Sequence, residues 1–451
     1  MMLYLLILLL VISNINSYLI LSLNKEKQNL ELNANPKEVI QGLFFVEIYA
    51  VIQIGSEKTE VKVFLTHERT ELAIGGKNIK NHKYDESLSK SYFCVYNHTK
   101  DFYSGIFNEI LLSKEDFYIK NDNKEIQKIA QLNFVLAMKS NYKEPYEGVL
   151  GLQLPYLNSE NEYNIIRSLK NKKIINSYNW FLDFDNMDKG ESKMYIGVLP
   201  HMINNKYEEK NFKTTYASKN GYYKYWGIEF SESYYGDEKK CIKKAYQAYI
   251  HFDFGLFFGP NELMNILDKE FFDYYINKNI CFKDKYGYEN NIFYYCKNTK
   301  DFEIKKFKNI YFKNHELENI FEFSYKDLFY YKDDFIYFLM LFKKIDEESY
   351  LIGEIFLKLY KIVFDQDSKT IGYYMNIKEK KENGKKTKNQ FISLTNILLL
   401  LILIGIIFIG IVCYKKRINR KIRANELEEN FQYIPKNEIS KDVNNKLVGN
   451  I

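Results

Sequence analysis

The sequence predicts an all-β chain of two lobes, followed by a helix that spans a membrane. Three features of the 451 residues lead to this prediction. Short runs of alternating apolar and polar residues recur between residues 42 and 377, as in strands that bury one face. A polar stretch without apolar periodicity, residues 201–220, divides these runs into two parts of similar length. An uncharged apolar run follows at residues 396–414 and is long enough to cross a bilayer.

The N-terminal residues 1–17 read MMLYLLILLLVISNINS, with an apolar centre and small or polar residues at the end. This pattern is typical of a secretory signal peptide, although the basic residues that usually open one are missing. A buried N-terminal strand and a membrane anchor are the alternatives. Residues 18–41 are then expected to form a short polar pre-segment.

The first lobe is predicted over residues 42–200 and opens with VIQIGSEKTEVKVFL, which alternates on both sides of a Gly-Ser turn and predicts a β-hairpin. Residues 201–220 are expected to connect the lobes, and residues 221–377 to form the second lobe. Strand-like runs in the second lobe include YYKYWGIEF, QAYIHF and KNIYF. Its clearest helix is NELMNILDKEFFDYYI, beginning near Asn261.

The C-terminal part is divided into a lysine-rich stalk at 378–393, a transmembrane helix at 394–414 and a cytosolic tail at 415–451. Positive charges flank the span on both sides, so the charge-bias rule does not decide its orientation. The signal peptide does decide it, because it directs both lobes into the lumen. The sequence therefore predicts a single-pass type I membrane protein of the secretory pathway or cell surface.

The positive charge lies outside the predicted lobes. The net charge is +6, and the stalk and the tail each contribute +4, which leaves −2 for the residues between the signal and the stalk. A basic surface for nucleic acid is thus not supported. The six histidines show no metal-ligand spacing, and no P-loop or dinucleotide motif is present. We expect no metal and no cofactor. His67 and His251 could approach each other in the cleft, but two histidines without an orienting carboxylate make only a weak zinc site.

Four of the five cysteines fall in the predicted lumenal part, and four cysteines permit three pairings. Cys281 and Cys296 are close in sequence, and YGYENN between them offers a turn. We therefore predict a disulfide between these two. The triplet NHT makes Asn97 the candidate acceptor for N-glycosylation.

Five segments, in order, resemble the pepsin-like aspartic proteases. YAVIQIGSEKTEVKVFL resembles the opening hairpin of that family, and YEGVLGL resembles its D-G-I-L-G-L. KMYIGVLP and YKYWGIEF resemble the strands that close the first lobe and open the second. The most specific match is YLIGEIFLKLYKIVFDQDSKTIGYY, which follows I-L-G-D-x-F-L-R-x-Y-Y-x-V-F-D…I-G-F-A. The resemblance covers residues 42–374 and implies a bilobal pepsin-like fold; the alternative is an unrelated all-β secreted domain.

The resemblance implies one catalytic aspartate in each lobe, within D-T/S-G-S/T, and a proton shared by the two carboxylates. The matching positions hold Thr66, in THER, and His251, in HFDF, so both aspartates and both following glycines are missing. The apolar-apolar-Gly runs at 149–151 and 351–353, which this fold needs beneath its catalytic loops, are kept. We therefore expect no catalytic residue, and we expect His251 to be cationic at acid pH.

A displaced dyad is the alternative for the site. Glu68 and Asp253 each stand two residues after an expected aspartate, and residues two apart in a strand share a face. Thr70 argues against it, because it stands where a glycine should follow Glu68. The flap matches CVYNHTKDFYSG, with Tyr96 as the flap tyrosine, but both flap glycines are absent.

The sequence thus predicts a membrane-anchored pepsin-like pseudo-protease that binds a protein or peptide ligand in the lumen or extracellular space without cleaving it. The alternative function is that of a membrane-anchored aspartic endopeptidase that uses Glu68 and Asp253.

Overall fold

The computed structural model describes residues 18–26, 34–44, 46–80, 82–98, 107–120, 126–140, 147–154, 163–184, 192–217, 225–236, 241–287, 291–343 and 349–374. All of these belong to the unit Met1–Lys378. Outside these ranges lie the predicted signal peptide, the predicted stalk, the predicted transmembrane helix and the predicted tail. Among the residues described, no helix is long and apolar enough to cross a membrane.

The chain is mostly β, which confirms the predicted class with the addition of a few short helices. The first half contains β1 (Leu19–Lys25), α1 (Pro36–Phe44), β2 (Ile48–Ile54), β3 (Thr59–Thr66), β4 (Leu72–Gly75), β5 (Phe93–His98), β6 (Phe107–Lys120), β7 (Ile126–Ser140), β8 (Gly148–Gly151), α2 (Ile165–Asn171), β9 (Asn179–Asp183) and β10 (Ser192–Ile196).

The second half begins with α3 (Pro200–Ile203), a 3₁₀ turn (Glu209–Asn211), β11 (Phe212–Tyr216), β12 (Gly227–Phe230), β13 (Glu232–Tyr235), β14 (Cys241–Ile242), β15 (Tyr246–Ile250), β16 (Phe257–Gly259), α4 (Asn261–Leu267), a π-helical segment (Asp268–Phe272) and α5 (Asp273–Ile276). It continues with β17 (Cys281–Tyr286), β18 (Asn291–Lys297), a second 3₁₀ turn (Ile304–Lys306), β19 (Ile310–Asn314), β20 (Asn319–Phe323), α6 (Tyr325–Leu328), β21 (Phe329–Lys332), β22 (Phe335–Phe338), β23 (Met340–Phe342), β24 (Ser349–Ile352), α7 (Glu354–Leu359), β25 (Val363–Asp365) and β26 (Thr370–Tyr374).

The predicted opening hairpin is confirmed. β2 and β3 pair antiparallel from Tyr49 opposite Phe64 to Ile54 opposite Thr59. Gly55 follows β2 with φ of 83°, in the left-handed region that favours glycine. The buried side chains of β3 alternate along the strand. The alternation of apolar residues in the sequence therefore identifies the face of this strand that packs against the core.

The same arrangement of three strands occurs once in each half of the chain. In the first half, β8 lies between β3, to which it is parallel, and β4, to which it is antiparallel. In the second half, β24 lies between β15, again parallel, and β16, again antiparallel. The two arrangements define the two predicted lobes. In each arrangement the first strand, β3 or β15, is followed by a loop.

The N-terminal residues join the fold more closely than a pre-segment would. β1 pairs with both β10 and β2 in a sheet of thirteen described strands. In α1, Val39 and Ile40 are fully buried against Leu256, Phe258 and other apolar side chains of the second lobe. Residues 18–41 thus supply a sheet strand and most of a helix. Residues 201–220, predicted as a connection, include β11, which pairs with β26.

A buried aromatic cluster connects the two lobes. Trp180 stacks on Phe364 with ring centroids 4.1 Å apart, and Trp226 meets Phe364 edge-on at 5.1 Å. The indole Nε1 of Trp226 donates a hydrogen bond of 2.6 Å to the carbonyl oxygen of Leu152. Leu152 directly follows β8, so this bond connects the entry to the second lobe with the strand beneath the first loop.

Candidate functional site

The two loops that follow β3 and β15 occupy equivalent places in the two lobes. Thr66 lies opposite Gly151 across the β3–β8 pair. Ile250 lies opposite Ile352 across the β15–β24 pair, and the next residue, His251, donates its backbone N–H to the carbonyl of Ile352 at 2.9 Å. Thr66 and His251 therefore stand at corresponding positions where each strand becomes a loop.

The glycines beneath these loops have no room for a side chain. A Cβ on Gly151 would lie 2.6 Å from backbone atoms of Glu71. A Cβ on Gly353 would lie 2.0 Å from the carbonyl oxygen of Phe254. Both distances are far below van der Waals contact, so the two kept glycines let β8 and β24 pass directly under the loops.

Two histidines and an aspartate meet where the loops approach each other. The rings of His67 and His251 have centroids 3.7 Å apart. Nδ1 of His67 lies 2.9 Å from Oδ1 of Asp253. One possible donor atom from each of the three side chains lies within 4.8 Å of those of the other two. The first lobe supplies His67, and the second lobe supplies His251 and Asp253.

Aromatic rings enclose this group of three, which we call the His-His-Asp cluster (His67, His251 and Asp253). Phe254 stacks on His251 at 4.6 Å, and Tyr225 stacks on the same imidazole at 5.7 Å. His67 is only 2% exposed, whereas the side chain of Asp253 is 32% exposed. The cluster is therefore closed around His67 and open to solvent at Asp253.

The surroundings shift two pKa values in the cluster. Burial, reinforced by the neighbouring His67, lowers the pKa of His251 to about 3. The expectation of a cationic His251 at acid pH is therefore wrong over most of the range from pH 3 to 6. Burial by itself would raise the pKa of Asp253, but the contact with the His67 imidazole lowers it below its usual value. His251 is thus neutral and Asp253 ionised near neutral pH.

The polar atoms of the cluster are poorly satisfied. Nδ1 of His67, Nδ1 of His251 and Oδ1 of Asp253 are buried and form no hydrogen bond. The 2.9 Å pair between His67 and Asp253 is close enough for an ion pair but lacks the direction of a hydrogen bond. Buried polar atoms are normally paired, so three unpaired atoms at one point call for an explanation.

Glu68, the other half of the displaced dyad, has different surroundings. Its side chain is exposed, and its backbone N–H donates to Oγ1 of Thr66 at 3.2 Å. The groups that the structure places against Asp253 are the two imidazoles. Two carboxylates that share a proton must be almost in contact. In this structure the group in contact with the carboxylate of Asp253 is the imidazole of His67.

The remaining predicted site residues lie away from the loops in sequence. Tyr96 is on β5 and is 59% exposed. Asn97 is on the same strand, but its side chain lies outside the described part of the chain, as do residues 99–106. A disulfide joins Cys281 to Cys296 across the paired strands β17 and β18. Among the described cysteines, Cys94 and Cys241 form no disulfide.

A comparison with family models matches residues 50–374 to the family described as eukaryotic aspartyl protease. The match covers most of the chain, and the repeated three-strand arrangement with its two loops agrees with it. The chain belongs to the eukaryotic aspartyl protease family. A search of curated proteins found no match.

Sequence reasoning did not find the contact of His67 and His251 with Asp253. The sequence does place His251 and Asp253 two residues apart, a spacing that puts two side chains on one face of extended backbone. That pattern was the available signal for a ligand pair. The approach of His67 to His251 across the cleft agrees with the structure, where the ring centroids are 3.7 Å apart, but the contact of His67 with Asp253 was not expected.

Proposed function

We propose that the chain is a pepsin-like pseudo-protease that binds a protein or peptide ligand without cleaving it. The main support is the content of the two loops. The corresponding positions hold Thr66 and His251, and the carboxylate of Asp253 in the second loop lies 2.9 Å from His67.

Aspartic protease chemistry needs one ionised and one protonated carboxyl group in near contact. The hydroxyl of Thr66 does not ionise in the relevant range. His251 is held neutral by burial, and the lowered pKa of Asp253 keeps that carboxylate ionised rather than sharing a proton. These properties favour a silent site over the alternative dyad of Glu68 and Asp253.

An exposed apolar strand supports a protein or peptide ligand. β5 is the last strand in the order of its sheet and pairs only with β6 among the described strands. Phe93, Val95 and Tyr96 on it are large, apolar and exposed. An edge strand with exposed apolar side chains offers both backbone hydrogen bonds and apolar contacts to an extended peptide.

The first test is proteolysis by the purified full-length chain on an unfolded protein between about pH 3 and 6, the range in which carboxyl dyads work. We expect no cleavage. Acid-dependent cleavage that disappears in both Asp253→Asn and Glu68→Gln would establish the endopeptidase function instead.

The second test measures binding with a library of unstructured peptides displayed on phage. We expect selected peptides to be retained by the wild-type chain and lost from the Tyr96→Asp variant. Tyr331→Asp is a matched control, because Tyr331 is also an exposed strand tyrosine but lies on β21 in the second lobe. Equal retention by both variants would rule out β5 as the binding edge.

We further propose a type I membrane topology, with the ligand in the lumen or outside the cell. The support is the apolar N-terminus, the uncharged run at 396–414 and the sequon at Asn97. Glycosidase treatment of the protein from eukaryotic cells should lower its apparent mass, and Asn97→Gln should abolish that change. A chain that is never glycosylated and is released from membranes by carbonate would contradict this topology.

A further inference from the structure

We propose that His67, His251 and Asp253 form a binding site for one Zn²⁺ ion between the two lobes. The inference goes beyond ligand binding by the cleft and uses atoms that the proposed function leaves without a role.

The spacing of the donor atoms suits a single ion. Tetrahedral zinc, with bonds of about 2.0–2.2 Å to histidine nitrogen and carboxylate oxygen, holds its ligand atoms about 3.3 Å apart. In the cluster, Nδ1 of His67 and Oδ1 of Asp253 are 2.9 Å apart, and one ring nitrogen of His251 lies within 4.8 Å of a donor atom of each of the other two side chains. The separation between His67 and Asp253 is thus close to that of two ligands on one zinc ion.

The chemistry of the donors selects zinc over the abundant hard cations. Two imidazole nitrogens and one carboxylate oxygen are a ligand set typical of zinc, whereas Mg²⁺ and Ca²⁺ prefer oxygen ligands alone. Nδ1 of His67, Nδ1 of His251 and Oδ1 of Asp253 are all buried without a hydrogen bond. His67, at 2% exposure, directs its unpaired nitrogen toward Asp253. A cation held by the three side chains would satisfy the buried atoms of His67 and Asp253 that face each other.

The surroundings leave one side of the ion open. The rings of Phe254 and Tyr225 flank the imidazoles and hold their orientation. The side chain of Asp253 is about one third exposed, so an ion can enter there. Three protein ligands leave a fourth position of zinc for water or for an oxygen atom of a bound peptide.

The test is titration of the chelator-stripped full-length chain with Zn²⁺, in competition with a chromophoric chelator and without any peptide. We expect one equivalent to bind. We expect the affinity to fall at least about a hundredfold in His67→Gln and in Asp253→Asn. His315→Gln and Glu68→Gln are matched controls, since both side chains are exposed and lie outside the cluster, and both variants should bind as the wild type does.

Two further measurements test the zinc site even if a cluster variant does not fold. Zn²⁺ should raise the melting temperature of the wild type and of both controls but not of the two cluster variants. X-ray absorption of the zinc-loaded wild type should show two imidazoles and one carboxylate around the metal.

Failure to bind one equivalent, unchanged affinity in both cluster variants, displacement by Mg²⁺, or a different set of donor atoms would each overturn the site. None of these outcomes bears on proteolysis or peptide binding, which are measured separately with a chelator present.

Discussion

His67 directly follows Thr66 at the end of β3, yet its imidazole reaches the loop of the other lobe. There its Nδ1 lies 2.9 Å from Oδ1 of Asp253. The neighbouring Phe252 is fully buried against Trp180 at 5.4 Å and Phe364 at 5.6 Å. At the scale of single residues, the rings of His67, His251 and Phe252 pack where the two lobes meet.

The glycine beneath the second loop is expected to tolerate no side chain. Gly353→Ala would place Cβ 2.0 Å from the carbonyl oxygen of Phe254, a backbone atom that is held in place by the N–H of Glu354. We expect a loss of about 3 kcal/mol in the free energy of unfolding, measured by urea denaturation. Gly259→Ala is the control, because its Cβ would first meet flexible side chains at 3.1 Å. An equal loss in the two variants would contradict the role of close backbone approach.

A buried carboxylate is expected to make stability depend on acid pH. Glu354 is 5% exposed and lies 2.8 Å from both Lys25 and Lys358. Burial alone would raise its pKa, but the two ammonium groups lower it below its usual value. A carboxyl group with a lower pKa in the folded state stabilises that state above the unfolded pKa of about 4.3, and the contribution disappears as the pH falls through the folded pKa.

The measurement for Glu354 is the free energy of unfolding of Glu354→Gln against wild type from pH 7 to 3. We expect the wild type to be more stable at pH 6 and the difference to shrink below about pH 4. Glu57→Gln, in the exposed turn after β2, should change stability by less than about 0.5 kcal/mol throughout. A difference that grows toward low pH would contradict the sign of this shift.

At the scale of elements, the three-strand arrangement positions each loop from below while the aromatic cluster holds the two arrangements together. β8 and β24 each pair with the strands before and after a loop. The hydrogen bond from Trp226 to Leu152 then ties the second lobe to the end of β8. The position of His67 against Asp253 depends on this contact between elements.

The two buried tryptophans in the aromatic cluster provide a matched comparison. Both are fully buried, but Nε1 of Trp226 donates to Leu152, whereas Nε1 of Trp180 is buried without a hydrogen bond. Trp226→Phe loses this hydrogen bond and leaves the carbonyl of Leu152 without that donor. We therefore expect it to lower the free energy of unfolding by about 2 kcal/mol more than Trp180→Phe does. Thermal or urea unfolding measures the difference. Equal destabilisation would show that ring volume alone matters at these positions.

At the scale of the whole molecule, the cluster exists only because two lobes face each other. Neither lobe holds all three side chains, and α1 adds a third contact from the N-terminal part. The N–H of Val46, just after α1, donates to the carbonyl of Asp253 at 2.7 Å, and the carbonyl of Phe44 accepts the N–H of Gly255 at 3.0 Å. The loop that supplies Asp253 is therefore held from two directions.

Restoring the two aspartates is expected not to restore proteolysis. Thr66→Asp with His251→Asp returns the carboxyl groups, but Asp253 remains in the cleft and His67 remains beside it. Additional carboxylates at this range raise each other's pKa values, and the imidazole holds one of them ionised. Peptide hydrolysis between about pH 3 and 6 is the measurement. Turnover by the double variant alone would show that the loops had kept catalytic geometry.

Much of the fold could be predicted because it depends on the order of residues within short segments. The hairpin of β2 and β3 follows from alternating residues around a turn at Gly55, and the disulfide partners Cys281 and Cys296 lie on adjacent strands of one local pair. The apolar-apolar-Gly runs were predicted to pass beneath the loops, and the crowding at Gly151 and Gly353 agrees with that prediction. Contacts between residues that are near in sequence, and the face that a strand buries, can be predicted from the sequence alone.

The sequence by itself determined the β-rich class and the two lobes, because these depend on residue identity and on periods along the chain. Only the tertiary structure decided that His67 meets Asp253, that His251 stays neutral at acid pH, and that residues 19–25 enter the large sheet. Each of these depends on how distant segments pack. Rotamers, burial and the electric field at one side chain are set by neighbours from the other lobe, which no local pattern specifies.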